Sequence, residues 1–384
     1  MSVVERYLEL GLRLGRHADD LVDSYYGPDE IAQRVEAEEP RQAGELAEDA
    51  AALLADVEDD RWLAAQVRAL AANARKLAGE ELPYEQEVEL VYAIEPRWQD
   101  EAVFERAHRL LEEALPGGGD LVSRYHRWFA DTAISAGIVE QAVLDTAAEL
   151  RRLTRDTVGL PEGEGFDLEL VTGKRWLGYA HYLGNLRTRI SVNVDLPLPA
   201  ADLVHLTAHE IYGGHHTHRV WQEVELVRGR GRVERTLDLL WSPEAVLSEG
   251  IAQTGPKLVT GGRGQQIASE VLGRLGFAFD AEVAAHVEQA RELLSPVASN
   301  VTMLIHARGA SASEAREYAR TWSLQPDERL DKLVASMSYR ASPGYQHTYW
   351  QGLELVDGYV RGDAARFREL LTARTLPSEL PGTQ

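Results

Sequence analysis

Apolar side chains recur at helical spacing through the first 158 residues. Leu8, Leu12 and the stretch Ala18–Val22 keep that spacing, and amphipathic runs follow over 43–57, 60–78, 99–114 and 132–158. In the last run Val139, Val143, Ala147 and Leu150 step by 4, 4 and 3, which lays one apolar stripe along a helix. Pro40, Pro83 and the run Pro116-Gly117-Gly118-Gly119 punctuate these helices.

The pattern changes at 159. Phe166, Leu168 and Leu170 alternate with Asp167 and Glu169, and Ile190, Val192 and Val194 alternate with Arg189, Ser191, Asn193 and Asp195. Period-two alternation predicts strands, and Gly184-Asn185 supplies a turn before the second. Helical patterning resumes at 199, with Pro199 or Asp202 as the start, and continues to a frayed tail at 377–384. Ser242-Pro243-Glu244 is a strong helix start: a capping hydroxyl, Pro at the first helical position and an acid facing the helix dipole. The expectation is a mainly α protein with a small antiparallel β element just before its chemical centre.

With 384 residues, 44% of them hydrophobic and 27% charged, the chain has a normal globular composition and room for a sizeable core or two lobes. The formal net charge of −22 argues against a nucleic-acid partner and against docking on an anionic membrane, both of which need clustered Lys and Arg. With no cysteine, any metal site must use His, Asp and Glu. The N-terminal segment lacks the apolar core of a signal peptide, and no apolar run approaches 18 residues. Cytoplasmic residence is the expectation.

Five of the twelve histidines fall within fourteen positions: His205, His209, His215, His216 and His218. Glu210 directly follows one of them. Catalytic zinc sites without thiolates use imidazole and carboxylate ligands and leave a position open. The usual helical arrangement is His-Glu-x-x-His, but here Gly213 stands where the second His is expected. His209 and His215 lie six apart, about 240° and about 9 Å on an unbroken helix, too far to share an ion. Gly213-Gly214 lets the helix end there and His215 swing back. His205 and His209, four apart on one helical face, are the rival pair, and helix geometry alone favours them slightly.

The stretch TAHEIYGGHHTH resembles the signature of the domain-of-unknown-function 885 family, His-Glu-x-x-Pro-Gly-His, whose members resemble helical metallopeptidases of the thermostable (Taq) carboxypeptidase type. SVNVDLP, SPEAVLSEGIA and YQHTYWQG resemble further family segments, and the likeness covers roughly 180–355. Gly213 departs from the family's Pro, and His218 stands where relatives often have Glu. The resemblance implies a two-lobed helical metallopeptidase-like fold around a cleft, with 1–158 as an N-terminal lobe and 159–384 as a catalytic lobe in one cooperative unit. It implies His209, His215 and Glu249 as zinc ligands, Glu210 as general base, and Tyr349, with Tyr345 one turn away, as oxyanion donor.

The expected activity is therefore zinc-dependent hydrolysis of an amide in a short peptide or peptide-like metabolite. The alternatives are a small-molecule amidase or tailoring hydrolase with the same zinc, and a non-catalytic metal-binding protein with a drifted site. Arg187, Arg189 or Arg340 could hold a substrate carboxylate. The strand 188–195, which carries Arg189 and Asn193, could pair with extended substrate.

Overall fold

The structure, a computed structural model, describes residues 1–339 and 341–381, with the side chain of residue 328 also outside the description. Arg340 and the last three residues of the expected frayed tail thus lie outside the described residues; within that tail Pro377–Glu379 form a 3₁₀ turn and Leu380 is buried. The fold is mainly α. The amphipathic runs become the helices Ala43–Asp56, Arg61–Leu77, Glu101–Ala114 and Ala136–Thr157. Val139, Val143, Ala147 and Leu150 are all buried, as their spacing predicts.

The first helix stops earlier than the pattern suggests, at Gly15. Ala18–Val22 is not helical; Val22–Tyr25 forms a strand, β1. Its partner, β5 (Leu237–Leu239), lies more than two hundred residues away, beyond the reach of any local pattern. The other three strands, β2 (Gly165–Val171), β3 (Gly178–Gly184) and β4 (Arg187–Asn193), form a sheet in the order β2-β4-β3. β3 and β4 are an antiparallel hairpin, turned by Gly184, Asn185 and Leu186, all at positive φ. β2 pairs parallel to β4. The sheet is therefore mixed rather than antiparallel, because the connection from β2 passes through β3 before the chain reaches β4.

Buried clusters cross the 158/159 position. Leu8, Leu70 and Tyr92 share one core with Leu237, Val246, Val356 and Phe367. A second core joins Val143 and Leu150 to Ile190, Leu203, Ile211 and Val271. The chemical centre lies where the helices Leu203–Glu210, His215–Gln222, Pro243–Thr260 and Gln346–Val360 meet.

Pro243–Thr260 and Gln346–Val360 pack along each other. They approach backbone to backbone at Gly250, where a Cβ would stand 2.3 Å from the Gly352 carbonyl oxygen. That approach fixes Glu249, the preceding residue, against the Gln346–Val360 helix. Ser242 precedes the Pro243–Thr260 helix as expected, but its hydroxyl donates to the Leu239 carbonyl (2.7 Å) and does not cap the helix.

Candidate metal centre and its cleft

The Leu203–Glu210 helix ends directly after Glu210. Gly213 adopts φ +113°, conformational space that glycine enters freely, and Gly214 passes so close to the preceding helix that a Cβ there would lie 1.8 Å from the His209 carbonyl oxygen. Thr217 locks the turn: its N–H donates to the Ile211 carbonyl (3.1 Å), and its Oγ1 accepts from the Gly213 N–H (2.9 Å). The second helix then begins at His215, and the six-residue spacing closes.

The two imidazole Nε2 atoms come within 3.2 Å of each other. Glu249 Oε2 lies 3.5 Å from His209 Nε2, and Glu249 Oε1 lies 3.8 Å from His215 Nε2. Bonds of about 2.0–2.1 Å around a tetrahedral zinc place neighbouring ligand atoms about 3.3–3.4 Å apart; one ligand atom from each of the three residues lies within 4.8 Å of the others, close enough for small side-chain adjustments to bring them round one ion. Glu249 Oε2 is buried and has no hydrogen-bond partner, an orphan that a cation would satisfy. Among the described residues, His209, His215 and Glu249 are the group that fits a metal in this way. His205 is outside it; its ring lies 5.8 Å from that of His209.

Surrounding groups hold these side chains. Ser248 Oγ stands 3.1 Å from His215 Nδ1, which leaves Nε2 free to face the centre. The Tyr345 hydroxyl donates to Glu249 Oε1 (2.8 Å). Burial lowers His209 far below its ordinary pKa and His215 to about 3, so both rings are neutral, as metal ligands must be. His216 faces away, between Thr188 Oγ1 (2.7 Å) and Glu164 Oε2 (3.1 Å), and ties the sheet to the second helix.

His218 is also buried and structural. Its Nε2 lies against the Gln222 amide, which donates in turn to Glu244 Oε1 (2.8 Å). Glu244 is therefore more than an acid at a helix start: it is the hub of a buried network with Arg235 and Arg219.

The centre opens into a cleft of about 230 Å³. Glu210, Tyr345 and Tyr349 line it with Trp176, Gly178, Tyr179, Asp23 and Asp238. Burial, then the Glu249 carboxylate, then Asp23 push Glu210 up to about 8. It is thus a carboxylate with strong proton affinity beside the ligand triangle, and a bound cation would oppose that shift.

Of the expected substrate contacts, those among the described residues, Arg187, Arg189 and Asn193, do not line the cleft. Arg189 is exposed on β4, and Arg187 turns to Asp167. The buried Asn193 amide donates to the Lys174 (2.9 Å) and Trp176 (3.2 Å) carbonyls, a loop-holding role. β4 has a neighbour on each side and cannot receive a further strand. The edges are β2 and β3, and it is β3 whose Gly178–Ala180 segment lines the cleft, with β1 packed against the same strand. Asp23, Asp238, Tyr179 and Ser248 also line the cleft, and no motif in the sequence marks the first three. Only Ser248, adjacent to Glu249, carries a local signal.

No family profile and no curated protein matches the chain. Solved structures do resemble it. A candidate lipoprotein from Colwellia psychrerythraea superposes with a TM-score of 0.52 at 15% identity, over 90% of this chain and 63% of that one. A candidate lipoprotein of unknown function from Shewanella oneidensis gives 0.48 at 12% identity, over 94% and 69%. The M32 carboxypeptidase from Deinococcus radiodurans R1 gives 0.38 at 14% identity, over 97% and 88%. The Colwellia likeness is one of fold, and this chain spans less than two thirds of that protein's length. Among the described residues no helix is long and apolar enough to cross a membrane.

Proposed function

We propose that this chain is a zinc-dependent hydrolase of the metallopeptidase type, acting on an amide bond in a short peptide or peptide-like metabolite. The carrying observation is the convergence of His209, His215 and Glu249, with an otherwise unpartnered carboxylate oxygen, beside the buried Glu210 in one cleft. In this reading the chain belongs with the domain-of-unknown-function 885 proteins and their carboxypeptidase-like relatives.

A zinc ion held by these three residues would supply Lewis acidity towards the scissile carbonyl and the attacking water. The protein's own groups do the rest. Glu210 accepts the water's proton and delivers it to the leaving amine. The Tyr349 hydroxyl donates to the developing oxyanion from across the cleft. Tyr345, already committed to Glu249 Oε1, is a positioning residue for that ligand.

The test is zinc content together with hydrolysis of a mixed peptide library, on the parent and on Glu210→Gln. The proposal expects zinc in both and cleavage by the parent alone. A zinc-loaded parent that cleaves no peptide or amide would reject it. Cytoplasmic residence belongs to the same reading; cell fractionation tests it against the envelope location that a lipoprotein would have.

A further inference from the structure

The mechanism above leaves one wall of the cleft unused, the one formed by Asp23 and Asp238. The β1–β5 register slips between Val22 and Ser24, so Asp23 is the extra residue of a bulge, a device that re-aims a side chain out of the ladder. Asp23 and Asp238 lie close enough to feel each other's charge, and both line the cavity. Asp238 is matched by Arg219, which is the one Lys or Arg among the described cleft-lining residues and is also held by Gln222 Oε1 (3.0 Å) and Glu244 (3.8 Å). Asp23 accepts from the neutral Tyr179 hydroxyl and shares the influence of Arg219 with Asp238. Burial, then Asp238, raise it to about 7. Among the described residues the wall therefore holds two carboxyls and one cation, Arg219.

The strand edge gives an independent pointer to what lies there. β3 is open to the cleft over Gly178–Ala180 and is covered farther along: the Tyr26 ring lies 5.0 Å from that of Tyr182, and a Cβ on Gly184 would stand 2.8 Å from the Tyr26 Cβ. An extended peptide laid on this edge is stopped in the direction of Gly184, beside Asp23. Antiparallel pairing sends the peptide's amino terminus that way; parallel pairing would drive its carboxylate against two acids.

We propose that Asp23 and Asp238 bind a protonated amine, the free amino terminus of a peptide or amino-acid amide lying antiparallel on β3, so that hydrolysis removes residues from that end. The recognition rests on the cleft alone; the cleavage rests on the reading in the preceding subsection. This differs from carboxypeptidase-like action, which would place a free carboxylate in the cleft.

The test measures binding of L-leucinamide and N-acetyl-L-leucinamide by calorimetry, to metal-free and to zinc-loaded protein. Acetylation removes the positive charge and leaves the rest of the probe intact. The expected result is at least about tenfold tighter binding of the free amine in both forms, with the preference lost in Asp23→Asn. The comparison on unaltered protein stands even if that variant does not fold. A preference seen in metal-free protein supports the amine site even if the zinc reading fails. Equal binding of the two probes, or tighter binding of the acetylated one, overturns it.

Discussion

Gly214→Ala is the perturbation that most sharply tests how the two histidines are brought together. The added methyl carbon would start 1.8 Å from the His209 carbonyl oxygen, 2.5 Å from the His209 carbonyl carbon and 2.7 Å from the Ala208 oxygen. A carbon and an oxygen in ordinary contact stand about 3.2 Å or more apart, so something must move by more than about 1 Å. The obstacle is backbone, not a flexible side-chain end, which puts the overpacking cost at or above the upper end of the usual 1–3 kcal/mol range, about 3 kcal/mol. Metal ligation tolerates only about 0.2 Å of misplacement. The substitution should therefore reduce zinc affinity as well as stability, since His209 itself is pushed.

The assay is denaturant unfolding of metal-free protein combined with zinc titration against a competing chelator. Gly137→Ala is the control: it lies in the Ala136–Thr157 helix with nothing within 4 Å of the new Cβ, and should gain roughly 0.5 kcal/mol. A Gly214→Ala protein with parental stability and parental zinc affinity would refute the account of the turn.

Further outcomes follow from the same geometry. Glu210→Gln should keep zinc and lose hydrolysis by about 10²–10⁴-fold, read by metal analysis and steady-state kinetics. Tyr345→Phe should weaken zinc binding by about 10–100-fold through loss of the bond to Glu249, whereas Tyr349→Phe should keep zinc and lower kcat by about 10²–10³. Burial disfavours ionised Glu244, but Arg235 outweighs it and holds the folded pKa down to about 2 against an ordinary 4.5. Its contribution, about 3 kcal/mol, is thus full above pH 4.5 and lost as pH falls towards 2; Glu244→Gln should flatten stability across that window in acid titrations. Residues 159–384 expressed alone should show no cooperative unfolding transition, because their core residues pack against 1–94.

The sequence exposed what is local. Amphipathic stripes located the long helices, and the glycine pair after His209-Glu210 announced a broken helix. His209 and His215 could be paired only through the family resemblance, because helix geometry alone favours His205, four residues away on an unbroken face. What stayed hidden depends on distant partners. β1 begins where the helical pattern of Ala18–Val22 ends, and its residues alone cannot reveal a partner at 237–239. β3, GYAHYLG, has no clean alternation because Tyr179, Ala180 and Tyr182 face the cleft and its walls. The strand that carries Arg189 and Asn193 is the middle of the sheet, which alternation along one strand cannot reveal. Glu244 has the local signature of a dipole-facing acid, and its role as a buried hub depends on Arg235 and Arg219, which lie 9 and 25 residues earlier.

The central claim is that one metal ion sits between His209, His215 and Glu249. Zinc per chain, measured by mass spectrometry after purification without chelators or affinity metals, tests it directly. The account predicts about one zinc in the parent and in His205→Ala, and its loss in each of His209→Ala, His215→Ala and Glu249→Ala. Retention of zinc in His215→Ala with loss in His205→Ala would contradict it and move the site to the one-turn pair on the first helix.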